Sequence, residues 1–172
     1  MIRMFETYVV PQVQNEFSKL LVLGDEEGTP LDGNDHLLDA PDFPTTLYFY
    51  ASYTKEWLDR LTELNNKGMG YPFLYINTNG LIQEGTTYTI REMVLATQTE
   101  QKMLVEEKRE KVVYPFLFNL RDLLIDAMKD CFAVDAYFEP ETEVIYSEKE
   151  GSKLPEGVDA ILFTNVKLRK IC

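Results

Sequence analysis

Apolar positions recur along this chain with two periods, and Pro, Gly and Thr mark where one period gives way to the other. From Pro11 to Leu23, Val13, Phe17, Leu20 and Leu21 follow at three- and four-residue steps. That spacing predicts an amphipathic helix with Pro11 in its first turn, prefaced by a turn containing Ile2 and Phe5. "TTLYFYAS" is short, aromatic and β-branched at its start, hence a strand. Thr54 then caps "KEWLDRLTELNNKG", where Trp57, Leu58, Leu61 and Leu64 form one helical face and Gly68 follows the end.

"YPFLYINTN" reads as a second strand, and "GLIQEGTTYTIREMVLATQT" as a hairpin turning near Glu84-Gly85. In its return arm Tyr88, Ile90, Glu92 and Val94 alternate with Thr89, Arg91, Met93 and Leu95. Both faces of that arm are partly apolar. An antiparallel strand with one solvated face alternates more cleanly, so the pattern predicts that something outside the domain covers part of its outer face.

In "YPFLFNLRDLLIDAMKDC", Phe116, Leu120, Leu123, Leu124, Ala127 and Cys131 fall on one helical stripe, opposite Arg121, Asp122, Asp126, Lys129 and Asp130. Pro115 either opens this helix or kinks a longer one that begins near Leu104. "FAVDAYFEPETEVIYSE" and "VDAILFTNVKLRKI" read as strands; in the second, Ala160, Leu162, Thr164, Val166 and Leu168 alternate with Ile161, Phe163, Asn165, Lys167 and Arg169. The expected fold is α+β in the order α-β-α-β-β-α-β-β, a mostly antiparallel sheet with helices packed on one face. Without a repeat or a linker, residues 1–172 are expected to form a single domain.

Composition narrows the function. At 172 residues with 45% hydrophobic and 12% aromatic content the chain can bury a full core. The longest apolar run, Val112 to Phe118, is far short of the roughly 20 residues that span a bilayer, and the N-terminus lacks the apolar region of a signal peptide, so no membrane role and a cytoplasmic site of synthesis are expected. With 29 acidic and 17 basic residues the net charge is −12, which repels a phosphate backbone and disfavours nucleic-acid binding. Asp25, Glu26, Glu27, Asp32, Asp35, Asp39 and Asp42 stand in a Gly- and Pro-rich stretch at about 24–44 that contains no Lys or Arg, an expected exposed acidic loop.

Candidate chemistry changes this picture little. His36, the one histidine, lies in the acidic stretch without a nucleophile placed for it, and Cys131 and Cys172 have neither CxxC nor metal-ligand spacing. "DGNDHLLDAPD" lacks the alternating oxygen ligands, central Gly and terminal Glu of an EF-hand, and "GMGYPF" lacks the Lys and Ser/Thr of a phosphate loop. No catalytic residue, metal ligand or cofactor site is expected, and the protein is read as working without catalysis.

"WLDRLTELNNKGMGYPFLYINTN", "TIREMVLAT" with the charged "EEKRE", "VVYPFLFNLRDLLIDAM" and "VDAILFTNVKLRKI" together resemble small proteins encoded among the virion structural genes of tailed phages and prophages of Bacteroidetes bacteria. The likeness is carried by the strand ending at Thr97, by Glu107 and Arg109 before Tyr114-Pro115, and by the closing Asp159-Ala160-Ile161 strand. It covers Trp57 to Ile171; the acidic stretch departs from the pattern. The resemblance implies a tail-terminator or tail-completion protein, a homo-oligomeric ring at the neck or tail that meets other phage neck or tail proteins. Such a ring lets DNA through without specific binding and resides in the virion after synthesis in the host cytoplasm. Ring contacts mix apolar and charged groups, so the expected oligomer interface is Tyr88, Ile90, Arg91, Met93 and Leu95 with Glu106, Glu107, Arg109 and Lys111. The alternative is a monomeric cytoplasmic binding module that sequesters a basic partner through its acidic loop.

Overall fold

The computed structural model describes residues 1–16, 47–52, 72–98, 114–133, 140–146 and 158–169. Helix α1 occupies residues 2–16 and α2 Tyr114–Cys131; the strands are β1 (Tyr48–Ser52), β2 (Phe73–Asn77), β3 (Leu81–Glu84), β4 (Thr87–Gln98), β5 (Glu141–Tyr146) and β6 (Val158–Arg169). One six-stranded sheet runs in the order β1-β2-β4-β6-β5, with β3 also paired to β4. The β1–β2 pair is parallel and the others antiparallel, which is the expected α+β class. The expected helix after Thr54, the acidic stretch with His36, and Cys172 lie outside the described residues.

The expected strand "YPFLYINTN" and the two arms of the hairpin after it are present as β2, β3 and β4, and a 3-10 turn at Thr78–Gly80 separates β2 from the outgoing arm β3. The Asn77 side chain accepts a hydrogen bond from the Asn79 N–H at 3.0 Å, a local bond that competes with the ladder and ends β2. The hairpin tip is as expected: Gly85, at φ 60°, takes the left-handed conformation that a two-residue turn requires and that Gly adopts without steric cost.

Helix α1 starts at Ile2 and not at Pro11. Phe5, Val9 and Val13, four residues apart, are its wholly buried face. Pro11 therefore sits within the helix, where its ring crowds the carbonyl four residues back and it offers no N–H. The turn before it is π-helical over Phe5–Val9, with the Val10 N–H donating to the Phe5 carbonyl. That wider turn gives the proline room. Phe5 stacks on Phe49 of β1 at 6.2 Å and 8° and tilts against Phe132 at 5.7 Å. Gln14 Oε1 accepts from the Leu47 N–H at 2.7 Å and Gln12 Nε2 donates to Asp130 at 2.6 Å, so α1 is held to both β1 and the end of α2.

Both helices cover the same face of the sheet. From α2, Phe116, Leu117, Leu120, Leu124, Ala127 and Met128 are buried there, while Leu123 and Cys131, expected on the stripe, lie at its margin. Phe116 to Met128 meet Leu74 and Ile76 of β2, Ile90, Met93 and Leu95 of β4, and Ile161, Phe163, Val166 and Leu168 of β6 in one cluster. Val94 of β4 and Ala160 of β6 belong to a second cluster behind the sheet, with Phe73, Tyr75 and Val158.

These memberships break the simple period of two. Ile90 and Met93 share the helix side, as do Phe163 and Val166, although each pair is three residues apart. Two consecutive residues in each strand, Arg91-Glu92 and Thr164-Asn165, stand together on the outer side. The ladder register stays unchanged across the slip, from Ile90 opposite Val166 to Glu92 opposite Thr164, so both strands change phase at the same level. Asn165 takes φ 53° there, a conformation that Asn tolerates better than most residues. The expected two-faced assignment of β4 is corrected accordingly: Tyr88, Ile90, Met93 and Leu95 lie on one face and Thr89, Arg91, Glu92 and Val94 on the other.

Candidate interaction surface

The outer face of the sheet has two unlike halves. In one, Phe73, Tyr75, Val94, Ala96, Val158 and Ala160 are at most 2% exposed, and Tyr50 stacks on Tyr75 at 6.0 Å. That half is buried within the chain, so Val94 and Ala96 of β4 need no cover from outside, contrary to the expectation from their apolar character.

The other half begins at the phase slip. Beyond it, alternation sends Arg91, Thr89 and Thr87 of β4, Asn165, Lys167 and Arg169 of β6, and Ile82 and Glu84 of β3 outward. Arg91, Asn165, Lys167 and Arg169 are exposed, and so are Glu84 and Ile82. Thr89 stands between Ile82 and Lys167, and Thr87 between Glu84 and Arg169. Of the six described Lys and Arg residues (Arg3, Arg91, Arg121, Lys129, Lys167 and Arg169), three lie in this strip. Arg91, Lys167 and Arg169 make no ion pair with any described residue. Carboxylates close one border: Glu92 accepts from Asn77 Nδ2 at 3.5 Å and Glu141 from Thr164 Oγ1 at 3.3 Å.

Two features place Arg91. Gly80, at the end of the 3-10 turn, lies so close that a Cβ on it would sit 2.8 Å from the Arg91 Cβ. Glu92 follows on the same side because of the slip, so Arg91 is exposed at a crowded part of the sheet. The helix layer offers a different surface. On the exposed back of α2, Asp122, Asp126 and Asp130 follow at four-residue intervals. Arg121 pairs with Asp122 at 2.8 Å while lying over the Phe118 ring, and Lys129 approaches Asp126 at 3.7 Å.

The residues expected at an oligomer interface thus divide. Ile90, Met93 and Leu95 are wholly buried in the protein's own core and are not surface residues. The phase slip is the physical reason, since it turns both apolar pairs of β4 toward the helices. Arg91 is exposed in the cationic strip, and Tyr88 faces the helix side at a hollow of about 390 Å³, beside Arg3, Thr7, Tyr8 and Phe132 of α1 and the end of α2. Glu106, Glu107, Arg109 and Lys111 lie outside the described residues. Sequence reading missed Lys167 and Arg169 as site residues. Their signal was present as the alternation of Val166 and Leu168 with two cations, once the slip at Asn165 is allowed for.

Among the described residues no three His, Cys, Asp or Glu are grouped to hold a metal ion, and no helix is long and apolar enough to cross a membrane. Burial, and then the neighbouring Asp130 charge, hold the Cys131 thiol above its ordinary pKa, which disfavours the thiolate. Its Sγ lies 3.7 Å from Gln12 Oε1. No protein-family model, curated protein or solved structure matches this chain.

Proposed function

We propose that this protein acts by assembly, as a ring-forming neck or tail subunit of a tailed phage, of the terminator or completion type, without catalysis. The observation that supports the reading best is the divided outer face of the sheet. One half is buried inside the subunit; the other presents three cations from two strands together with Glu84, Asn165, two threonines and one isoleucine, and none of the three cations is ion-paired with a described residue. A mixture of charged, hydroxyl and apolar groups that is soluble alone and complementary when covered is what a subunit interface requires. The sequence likeness over Trp57 to Ile171 supplies the virion context.

A monomeric module that captures a basic partner would place its function in the acidic stretch and leave the cationic strip without a role, so the assembly reading accounts for more of the surface. The strip does not recommend a nucleic-acid partner, because three cations stand on a body of net charge −12. Sedimentation of the purified chain and mass spectrometry of phage particles test the proposal. A closed multimer in solution and the chain's presence in particles with capsid and tail proteins are the expected results. A chain that stays monomeric and is absent from particles refutes it.

A further inference from the structure

We infer that the cationic strip of one subunit docks on the acidic back of α2 in the next copy of this chain, head to tail. The inference rests on the assembly reading and names the two surfaces that meet. A second copy approaches as a body of net charge −12, so most encounters are repulsive. On the strip Arg91, Lys167 and Arg169 outnumber Glu84 by three to one, so that repulsion is locally reversed there.

The symmetry of the contact follows from its charge. A two-fold pairing of strip against strip would set these cations against their own copies, which like-charge repulsion opposes. The contact must therefore join different surfaces. The helices cover one side of the sheet and the strip is on the other, so the exposed back of α2 points away from the strip across the thickness of the subunit. Two complementary surfaces on opposite sides generate a repeating contact that closes into a ring if the rotation per subunit allows.

Their dimensions agree. From the level of Arg91 to that of Arg169 the strip spans four residues of β6, about 13 Å at the rise of a β-strand. Asp122 to Asp130 spans eight helical residues, about 12 Å. Two cations of β6 and one of the neighbouring β4 thus extend over about the length of the carboxylate row. Arg121 and Lys129 pair with Asp122 and Asp126 in the free subunit, but these pairs are exposed and weak, and their carboxylates can exchange partners on docking.

Two variants test the docking. One reverses the strip, Arg91→Glu with Lys167→Glu and Arg169→Glu. The other reverses the ridge, Asp122→Lys with Asp126→Lys, and leaves Asp130 in place because it accepts the hydrogen bond from Gln12. Every substituted side chain is outside the buried core, and thermal melting checks that each variant folds. Each alone is expected to lose self-association by on the order of 100-fold or more, since like charges then face each other. An equimolar mixture of the two is expected to regain it, because the acidic strip of one meets the basic ridge of the other and the remaining pair of surfaces is again complementary. If the strip variant associates like the wild type, the strip is not a docking surface and the inference fails while assembly stands. If both variants dissociate but the mixture does not recover, the strip docks elsewhere than α2 and the inference also fails. A wild-type chain that is monomeric throughout removes the assembly reading itself.

Discussion

Replacing Gly80 by Ala tests the close approach of the 3-10 turn to β4. A Cβ at that position would lie 2.8 Å from the Arg91 Cβ, against the roughly 3.4–4 Å of an ordinary contact, so the strands must part by at least about 0.6 Å. The obstacle is the root of a side chain in the central strand, not the movable end of one. Overpacking of this kind costs about 1–3 kcal/mol. Alanine also restricts the unfolded chain, which returns about 0.4–1 kcal/mol. A net loss of about 1–2 kcal/mol is expected, equivalent to a fall of roughly 2–8 °C in Tm for a chain of this length. Urea unfolding monitored by circular dichroism measures it. Arg91→Ala keeps the offending Cβ and is not expected to rescue the variant, whereas Arg91→Gly removes it, so a double-mutant cycle should show coupling with the Gly substitution alone. Unchanged or raised stability in Gly80→Ala would mean that the turn is free to move and that the close approach does not shape the sheet.

Three further outcomes are expected. Phe5→Ala should lower the unfolding free energy by about 3–5 kcal/mol, since a wholly buried ring packed on Phe49 and Phe132 is lost; a loss under 1 kcal/mol in a denaturation curve would show that α1 is not anchored there. Asn165→Gly should hold or slightly raise stability and Asn165→Val should cost about 1–2 kcal/mol, because the left-handed conformation at φ 53° suits Gly and opposes a β-branched residue at this exposed position; equal melting temperatures would contradict this. Alkylation of Cys131 by iodoacetamide near pH 8 should be slower than that of an unfolded control and should quicken partly in Asp130→Asn, since burial remains the larger cause. A thiol whose folded pKa is raised contributes stability below its unfolded pKa and loses it as pH rises through the folded one, so Cys131→Ala should flatten the decline in stability on the alkaline side.

The fold class was legible because most of its elements carry one clean period. Gly85 announced the hairpin tip, and Phe116, Leu120, Leu124 and Ala127 announced the buried stripe of α2. The start of α1 was misread because Pro11 is a strong local signal for a first turn, and only the π-helical turn before it lets the helix continue through. The candidate surface was half legible. Arg91 was read as part of a mixed apolar and charged contact together with Ile90, Met93 and Leu95, which a strict period of two divides between opposite faces, whereas the slip at Arg91-Glu92 brings all three into one core. Nothing local in the sequence marks that slip: it coincides with Asn165, in the left-handed conformation, in a partner strand some seventy residues away. Long-range register of that kind is not encoded in one strand's own pattern.

The crease through Gly80, Arg91 and Asn165 also divides the sheet by how freely its sequence can drift. In Phe73–Asn77, Met93 to Thr97 and Val158 to Ile161 every described side chain is buried, so the apolar positions among them, neighbours included, should reject polar replacements alike. In Asn165 to Arg169 buried and exposed positions alternate, and a substitution scan should find tolerance at every second residue. The same β6 would therefore read as two different strands in a table of permitted residues, with the boundary at Thr164-Asn165. A scan that found one uniform pattern along its length would place the two halves under a single packing constraint.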